Sequence, residues 1–391
     1  MARLGDMATL ITKGTTPTSL GYNFVEKGIN FIKIESIAED GSFISQKFGY
    51  IDENCHKALK RSQLAENDVL FSIAGAIGRT AIVDSSILPA NTNQALAIIR
   101  IPEGVIDYSF LLYALQSPKL REQFEKKKQG VAQLNISLKG IADLIIPDLS
   151  VENQKRIVTV LDKVGKLISQ RKQQLAKLDE LVKARFVEMF GDCVTNPKGW
   201  KTKYLEEIAE VGSSKRVFVE ELQENGIPFY RGTEVGALAE GKQITPELFI
   251  TEEQYTELCE ATGTPQIGDL LMPSICPDGR IWVVNTDNPF YFKDGRVLWV
   301  HTIDVSYNPV FLLYTLKDRI MTDYSSIASG TTFAELKIFA LKKCRVFDVP
   351  IALQNQFAYF VEQADKSKLA IQKSLDKLEF LKKALMQEYF G

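Results

Sequence analysis

The fold is decided by Ile146–Asp192, IPDLSVENQKRIVTVLDKVGKLISQRKQQLAKLDELVKARFVEMFGD. Pro147 stops a preceding strand. Between Glu152 and Phe190 there is no proline, and only Gly165 interrupts. Apolar residues fall at Ile157, Leu161, Val164, Ile168, Leu175, Leu178 and Val182, alternating three and four apart, with Arg171 as the one fault. This predicts a single helix of roughly 40 residues, about 60 Å long at 1.5 Å per residue. Such a helix cannot bury its stripe alone.

The same design returns after Pro350. There the stripe reads Phe357, Phe360, Ala364, Ile371, Leu375, Leu378 and Leu385, with faults at Ser367 and Ser374. Even the endings echo: LDELVKARFVEMFGD (Leu178–Asp192) and LEFLKKALMQEYFG (Leu378–Gly391). A shift of about 200 residues aligns further landmarks in order. LGDMA at Leu4 meets LEEIA at Leu205, and GINFIK at Gly28 meets GIPFYR at Gly226. ENDVLFSIAGAIGRTAIV from Glu66 meets IGDLLMPSICPDGRIWVV from Ile267, and FLLYALQS at Phe110 meets FLLYTLKD at Phe311. QGVAQLN at Gln129 meets SGTTFAE at Ser329. The chain therefore reads as two long repeats.

Each repeat opens with about 150 residues of mixed structure. Runs rich in Val, Ile, Phe and Tyr read as strands: NFIKI, DVLFSI, TAIVDS and QALAIIRI in the first, IPFYRG, DLLMPSI, RIWVVN and VLWVHTI in the second. YSFLLYALQS and its copy fit a short helix. The expected class is α+β. Two mixed α/β heads, 1–150 and 192–350, alternate with long helices at 151–191 and 351–391. The helices are expected to pair antiparallel as a coiled coil, with the heads at opposite ends about a pseudo-two-fold axis. Each Phe-Gly end would then pack near the start of the partner helix, its glycine serving as C-cap. A rod used twice to hold two similar heads is a ruler.

Composition narrows the function. The chain has 391 residues, enough for two or three domains. No apolar run of about 18 residues is present and MARLGDMATL lacks an apolar signal core, so no membrane partner and a cytoplasmic location are expected. Five scattered cysteines without a C-x-x-C read as buried thiols, with neither disulfides nor a metal site. The net charge of −2 excludes nucleic-acid binding by bulk charge and leaves it to local basic patches or a partner. The catalytic search is empty. His56 and His301 stand outside any hydrolase or metalloprotease pattern. GAIGRT at Gly75 lacks phosphate-loop spacing and reads as a turn. DNPFYF at Asp287 lacks the second proline of the adenine N6 methyltransferase box and reads as a turn after a strand.

IPDLSVENQKRIVTVLDKVGKLISQRKQQLAKLDELVKARFVEMFGD resembles the central conserved region of the specificity subunit of type I restriction-modification systems. LGDMATLITKGTTP, IGRTAIV and QGVAQLNISLKG resemble that family too, and the likeness covers essentially the whole chain in the family's order. It implies two target recognition domains, each reading one half of a bipartite, asymmetric double-stranded DNA site. It implies that the helices fix the spacer and dock two modification subunits, which carry S-adenosylmethionine and methylate adenine at N6. It further implies that ATP-driven restriction subunits can join. The chain itself would hold no cofactor and no catalytic residue. S-adenosylmethionine, ATP and magnesium would sit only on partners.

A DNA reader needs cations for phosphates and Arg, Lys, Asn or Gln for base edges. In the first repeat the candidates are Lys13, Thr15, Thr16, Lys33, Arg79, Asn91, Asn93, Gln94 and Lys126 to Lys128. In the second they are Lys215, Arg216, Arg231, Arg280, Lys293 and Arg296. Arg79 and Arg280 align across the repeat. The helical seam supplies the docking candidates Ile157, Leu161, Val164, Ile168, Leu175, Leu178, Phe357, Ile371, Leu375, Leu378 and Leu385. Two other readings stand beside this one: a coiled-coil adaptor with two protein- or peptide-binding heads, and an enzyme with an unrecognised site.

Overall fold

The computed structural model describes residues 1–128, 134–330 and 334–391. Most of the QGVAQLN landmark and the centre of SGTTFAE, residues 331–333, fall outside them. The chain forms two compact units: residues 1–173 with 372–391, and residues 174–371.

The first unit contains β1 (Ala2–Arg3), α1 (Leu4–Met7), β2 (Leu10–Lys13), β3 (Ile29–Ile32), β4 (Gly49–Ile51), α2 (Glu53–Ala58), β5 (Val69–Ser72), β6 (Thr80–Ile82), β7 (Ala90–Thr92), β8 (Leu96–Arg100), α3 (Tyr108–Gln116), α4 (Pro118–Glu125), α5 (Leu138–Ala142) and β9 (Ile145–Ile146). Then begins α6 (Val151–Phe190). The second unit contains β10 (Thr202–Tyr204), α7 (Leu205–Ile208), β11 (Ala209–Gly212), β12 (Ile227–Tyr230), α8 (Gly232–Ala239), β13 (Phe249–Ile250), α9 (Glu252–Thr262), β14 (Leu270–Pro273), β15 (Trp282–Val283), β16 (Tyr291–Phe292), β17 (Val297–Thr302), α10 (Pro309–Ile327), β18 (Ala328–Ser329), β19 (Glu335–Leu336), α11 (Ile338–Lys342) and β20 (Arg345–Phe347). Then begins α12 (Ile351–Phe390).

The topology repeats. A four-stranded antiparallel sheet runs β2-β8-β5-β6 in the first unit and β11-β17-β14-β15 in the second. A three-stranded sheet runs β4-β3-β7 and β13-β12-β16, with β3 parallel to β7 and β12 parallel to β16. The strand before each long helix pairs with the strand that opens its head, β9 with β1 and β20 with β10.

All eight apolar runs form strands. β5 and β8 are buried on both faces, which is why their sequences are continuous apolar runs. Val69, Phe71, Ala97 and Ile99 pack with Phe110, Leu111 and Phe124. Leu70, Leu96 and Ile98 pack on the other side with Ile32, Ile37 and Val83. Each large apolar side chain so buried contributes about 1.5–3 kcal/mol.

The YSFLLYALQS helix is α3, ended by the Ser117-Pro118 step. Its copy is longer than expected. No proline interrupts after Pro309, so α10 runs for 19 residues, with Asp323 alone leaving helical geometry. DNPFYF is a turn only at its start, for Tyr291 and Phe292 form the buried strand β16.

The long helices pair antiparallel within each unit. In the first, Ile157 and Leu161 share a core with Phe390, and Lys172 meets Glu379 at 2.9 Å. In the second, Val182, Phe186 and Phe190 share a core with Phe357 and Val361, and Asp179 meets Lys368 at 2.7 Å. Low numbers on one helix meet high numbers on the other in both.

Ile157, Leu161, Val164, Phe357 and Leu375 are buried, while Ile168, Leu175, Leu178, Ile371, Leu378 and Leu385 are half-buried. The phase of α12 differs from the expected one in its first half. Val361, not Phe360, is the buried residue, and Lys368 takes the inward position in place of the exposed Ser367. The lysine masks the heptad in the sequence.

Each helix is locked at its start by a buried glutamine. Gln154 accepts the backbone N–H of Asp107 (2.8 Å) and donates to the Leu149 carbonyl (2.8 Å). Gln354 accepts from Asn308 (2.8 Å) and donates to the Val349 carbonyl (2.9 Å). Asp107 and Asn308 cap α3 and α10. The Phe-Gly ends are plugs. Phe190 packs on Phe311 at 4.8 Å and Phe390 on Phe110 at 5.1 Å. Gly191 sits at φ +87° beneath Pro197, and Trp200 donates to the Phe190 carbonyl (3.0 Å), as a helix C-terminus requires.

All five cysteines are free, and four are buried. No helix among the described residues is long and apolar enough to cross a membrane.

Candidate nucleic-acid interface

In each head, three chain segments converge at one end of the three-stranded sheet. In the first unit they are the turn after β2, the residue after β3, and the turn from β7 to β8. Ile32 stands beside Thr92 in parallel register, so Lys33 and Asn93 leave the sheet together. The Thr15 N–H donates to the Thr92 carbonyl (3.1 Å). Gly14 is required here: a Cβ would lie 2.0 Å from the Thr92 carbonyl oxygen.

This convergence gathers Lys13, Thr15, Thr16, Lys33, Asn93 and Gln94. The Thr16 hydroxyl donates to the Gln94 side chain. Asn93 accepts the Ala95 N–H (3.1 Å), and the Lys33 ammonium lies 4.7 Å from the Phe24 ring centre. Arg61, which the sequence did not single out, reaches the Thr15 hydroxyl from a turn after α2 (3.4 Å). Nothing in its surrounding KALKRSQ marks it.

The second unit repeats the convergence. Ser213 donates to the Val297 carbonyl (2.7 Å) and Ser214 to the Phe292 carbonyl (2.6 Å). Lys215 is tethered through its N–H to the Tyr291 hydroxyl (2.9 Å), and the Lys293 N–H donates to the Tyr230 carbonyl (2.9 Å). Lys215, Arg216, Arg231 and Lys293 are thereby brought together.

The two convergences differ in charge. Arg216 pairs with Asp294 at 3.1 Å, and Lys293 lies 3.9 Å from the same carboxylate. Arg231 is held by Glu234 at 2.6 Å and Glu247 at 3.2 Å. Burial alone would raise the Glu234 carboxyl, but the Arg231 guanidinium, its N–H and the Thr233 hydroxyl outweigh it and bring the group down to about 2. Among the described residues, neither Lys13 nor Lys215 has an ion pair.

Of the remaining candidates, Arg296 sits in the turn from β16 to β17 and the others lie elsewhere. Arg79 donates to the Ile37 carbonyl (3.2 Å). Arg280 packs on α8 and pairs with Asp278 at 2.8 Å. Arg296 pairs with Glu335. Lys126 and Lys128 pair with glutamates on α4. Asn91 is a correction. It is fully buried and donates to the Leu59 carbonyl (3.1 Å) and the Ser62 hydroxyl (3.0 Å), so it supports the turn and cannot reach a ligand.

Of the seam residues, Ile157, Leu161 and Leu385 pack into the core of the first unit and Phe357 into that of the second. The apolar residues that remain exposed on the long helices include Val160, Leu167, Leu181, Tyr359, Leu369 and Phe380.

The chain matches the family described as type I restriction modification DNA specificity domain over residues 1–180 and again over 197–379. It is 30% identical over 172 residues to the EcoBI specificity subunit of Escherichia coli, covering 42% of this chain and 35% of that subunit. It is 24% identical over 402 residues to the MjaIX specificity subunit of Methanocaldococcus jannaschii, covering 96% and 89%. A solved chain from work on assembly and conformational transition of the type I R-M system superposes with a TM-score of 0.63 at 19% identity, covering 100% and 96%. The S subunit from M. genitalium superposes with a TM-score of 0.56 at 16% identity, covering 100% and 95%.

Proposed function

The chain belongs to the type I restriction-modification DNA specificity family, and on that premise we propose that each head reads one half of a bipartite, asymmetric DNA site. The observation that carries this reading is the duplicated three-segment convergence. It brings cations of the kind that meet phosphates, and amides or guanidinium groups of the kind that meet base edges, to the same place in both heads. The paired long helices set the spacer between half-sites. Their outer apolar residues, Val160, Leu167 and Leu181 on α6 and Tyr359, Leu369 and Phe380 on α12, dock two modification subunits. Those subunits bring S-adenosylmethionine and methylate adenine at N6. Restriction subunits add ATP- and magnesium-dependent cleavage. This chain selects the sequence and performs no chemistry itself, and it works in the cytoplasm.

Sequencing of methylated bases in the host, with and without this gene, tests the reading. A bipartite adenine-methylated motif should vanish with the gene, and an unchanged methylome would refute the proposal. The ruler is tested by inserting seven residues after Gln173 and seven after Ile371. Seven preserves the heptad and adds about 10 Å, or about three base pairs. The spacer should lengthen while both half-sites stay the same.

A further inference from the structure

Arg231 follows β12 and caps α8. Its guanidinium carries five N–H donors in a fixed fork. Nε donates to Glu234 Oε2 (3.1 Å) and Nη2 to Glu234 Oε1 (2.6 Å). The same carboxylate accepts the Arg231 backbone N–H (2.8 Å) and the Thr233 hydroxyl (2.9 Å). Glu234 is thus fixed by four bonds, and it fixes one edge of the guanidinium in turn. A remaining Nη2 hydrogen goes to Glu247 (3.2 Å), whose side chain is 74% exposed. Among the described residues, Nη1 has no hydrogen-bond partner.

The other cations of this convergence are built differently. Lys293 rests on the Val217 carbonyl at 3.5 Å, and Arg216 makes a single exposed contact with Asp294. In the first head the corresponding place after β3 is held by Lys33, with Ser36 accepting its N–H (3.2 Å) where Glu234 accepts that of Arg231. A lysine there is a point charge without a fork. Among the described residues of this convergence, only Arg231 has one edge of its guanidinium bound side-on by a carboxylate and another edge held by a weak, exposed one.

We propose that Arg231 reads a guanine in the half-site of the second head: aligned by Glu234, it donates to O6 and N7 in the major groove, and Glu247 occupies that donor edge until DNA replaces it. The proposal rests on the DNA-specificity reading above. Glu234 is a positioning residue. Glu247 is an exchangeable stand-in, because an exposed pair of this kind is weak. Lys33 marks the same place in the first head as a phosphate contact.

The test uses the full chain assembled with its modification subunits. Duplexes carry the methylated motif with 7-deazaguanine, which lacks N7, at one guanine at a time. The wild-type complex should lose roughly fivefold or more in methylation kcat/KM at one guanine of one half-site. Arg231→Ala should lose about as much on the ordinary duplex and nothing further with 7-deazaguanine at that position. Glu234→Gln should weaken discrimination at that guanine alone, and Glu247→Ala should keep the motif with equal or tighter binding. If Arg231→Ala does not assemble, Arg231→Lys carries the test, since it keeps the charge and loses the fork. An Arg231 variant that still discriminates the guanine as wild type does, or that loses equally at every base pair, overturns the proposal. If the wild-type complex methylates no bipartite motif, the DNA-specificity reading itself has failed.

Discussion

The ring of Phe390 lies 5.1 Å from that of Phe110, and both are buried in the core of the first unit. That core draws on residues far apart in sequence. Phe390→Ala should therefore destabilise the first unit by about 3–5 kcal/mol. Phe190→Ala should do the same to the second, where Phe190 meets Phe311 and Phe357. Urea unfolding followed by limited proteolysis assigns each loss to its unit. A change below about 1 kcal/mol would show that the plug is dispensable.

The repeat treats one buried carboxylate in two ways. Asp68 accepts Nε and Nη2 of Arg100 and the Ala65 N–H, each at 2.7 Å. Its counterpart Asp269 accepts the Trp299 indole (2.8 Å), the Gln266 N–H (2.8 Å) and a ring nitrogen of His301 (2.8 Å). Removing Arg100 takes the cation and two of three donors from a fully buried carboxylate, whereas Asp269 keeps two of its three donors without its histidine. Arg100→Leu should cost about 2–3 kcal/mol, and His301→Leu at most about 1 kcal/mol. Equal losses on denaturant titration would contradict this account.

Acid should weaken the second unit through Glu234. Its carboxyl is lowered from 4.5 to about 2 on folding, so it contributes stability that is fully present above about pH 4.5. That contribution is lost as pH falls toward 2. The stability gap between wild type and Glu234→Gln should accordingly shrink from pH 6 to pH 3. Thermal melts across that range measure the gap, and a constant gap would mean the Arg231 pair does not hold the charge.

The unpaired lysines should act on DNA affinity without acting on sequence choice. Lys13→Ala and Lys215→Ala should each weaken binding by the assembled complex evenly across sequences. Each should lower the slope of log affinity against log salt by about one. A changed methylation motif in either variant would place that lysine at a base edge instead.

Much of this was legible in the sequence, because both long helices announce themselves by period and all eight apolar strands by their β-branched and aromatic composition. What was missed has local causes. β7 reads as a polar loop, yet Asn91 and Thr92 are buried and hydrogen-bonded, with Thr92 donating to the Ile32 carbonyl (2.9 Å). Lys368 hid the phase of α12 because its charge is answered by Asp179, far off in sequence. The loops of the candidate interface were found from glycine and basic residues. Their charge balance was not, since Glu247, Asp294 and Glu335 reach their arginines only through the fold. Arg79 and Arg280 align across the repeat because each sits in the turn of its hairpin, between β5 and β6 or between β14 and β15, where Arg79 holds the Ile37 carbonyl and Arg280 pairs with Asp278.

The placement of Phe390 also governs the order in which the chain can fold during synthesis. The second unit is one uninterrupted stretch, 174–371, and can complete itself once that stretch has emerged. The first unit begins earlier but must wait with an open apolar socket around Phe110 until synthesis has reached Phe390. Residues 1–173 thus precede the second unit in synthesis yet belong to the body that closes after it.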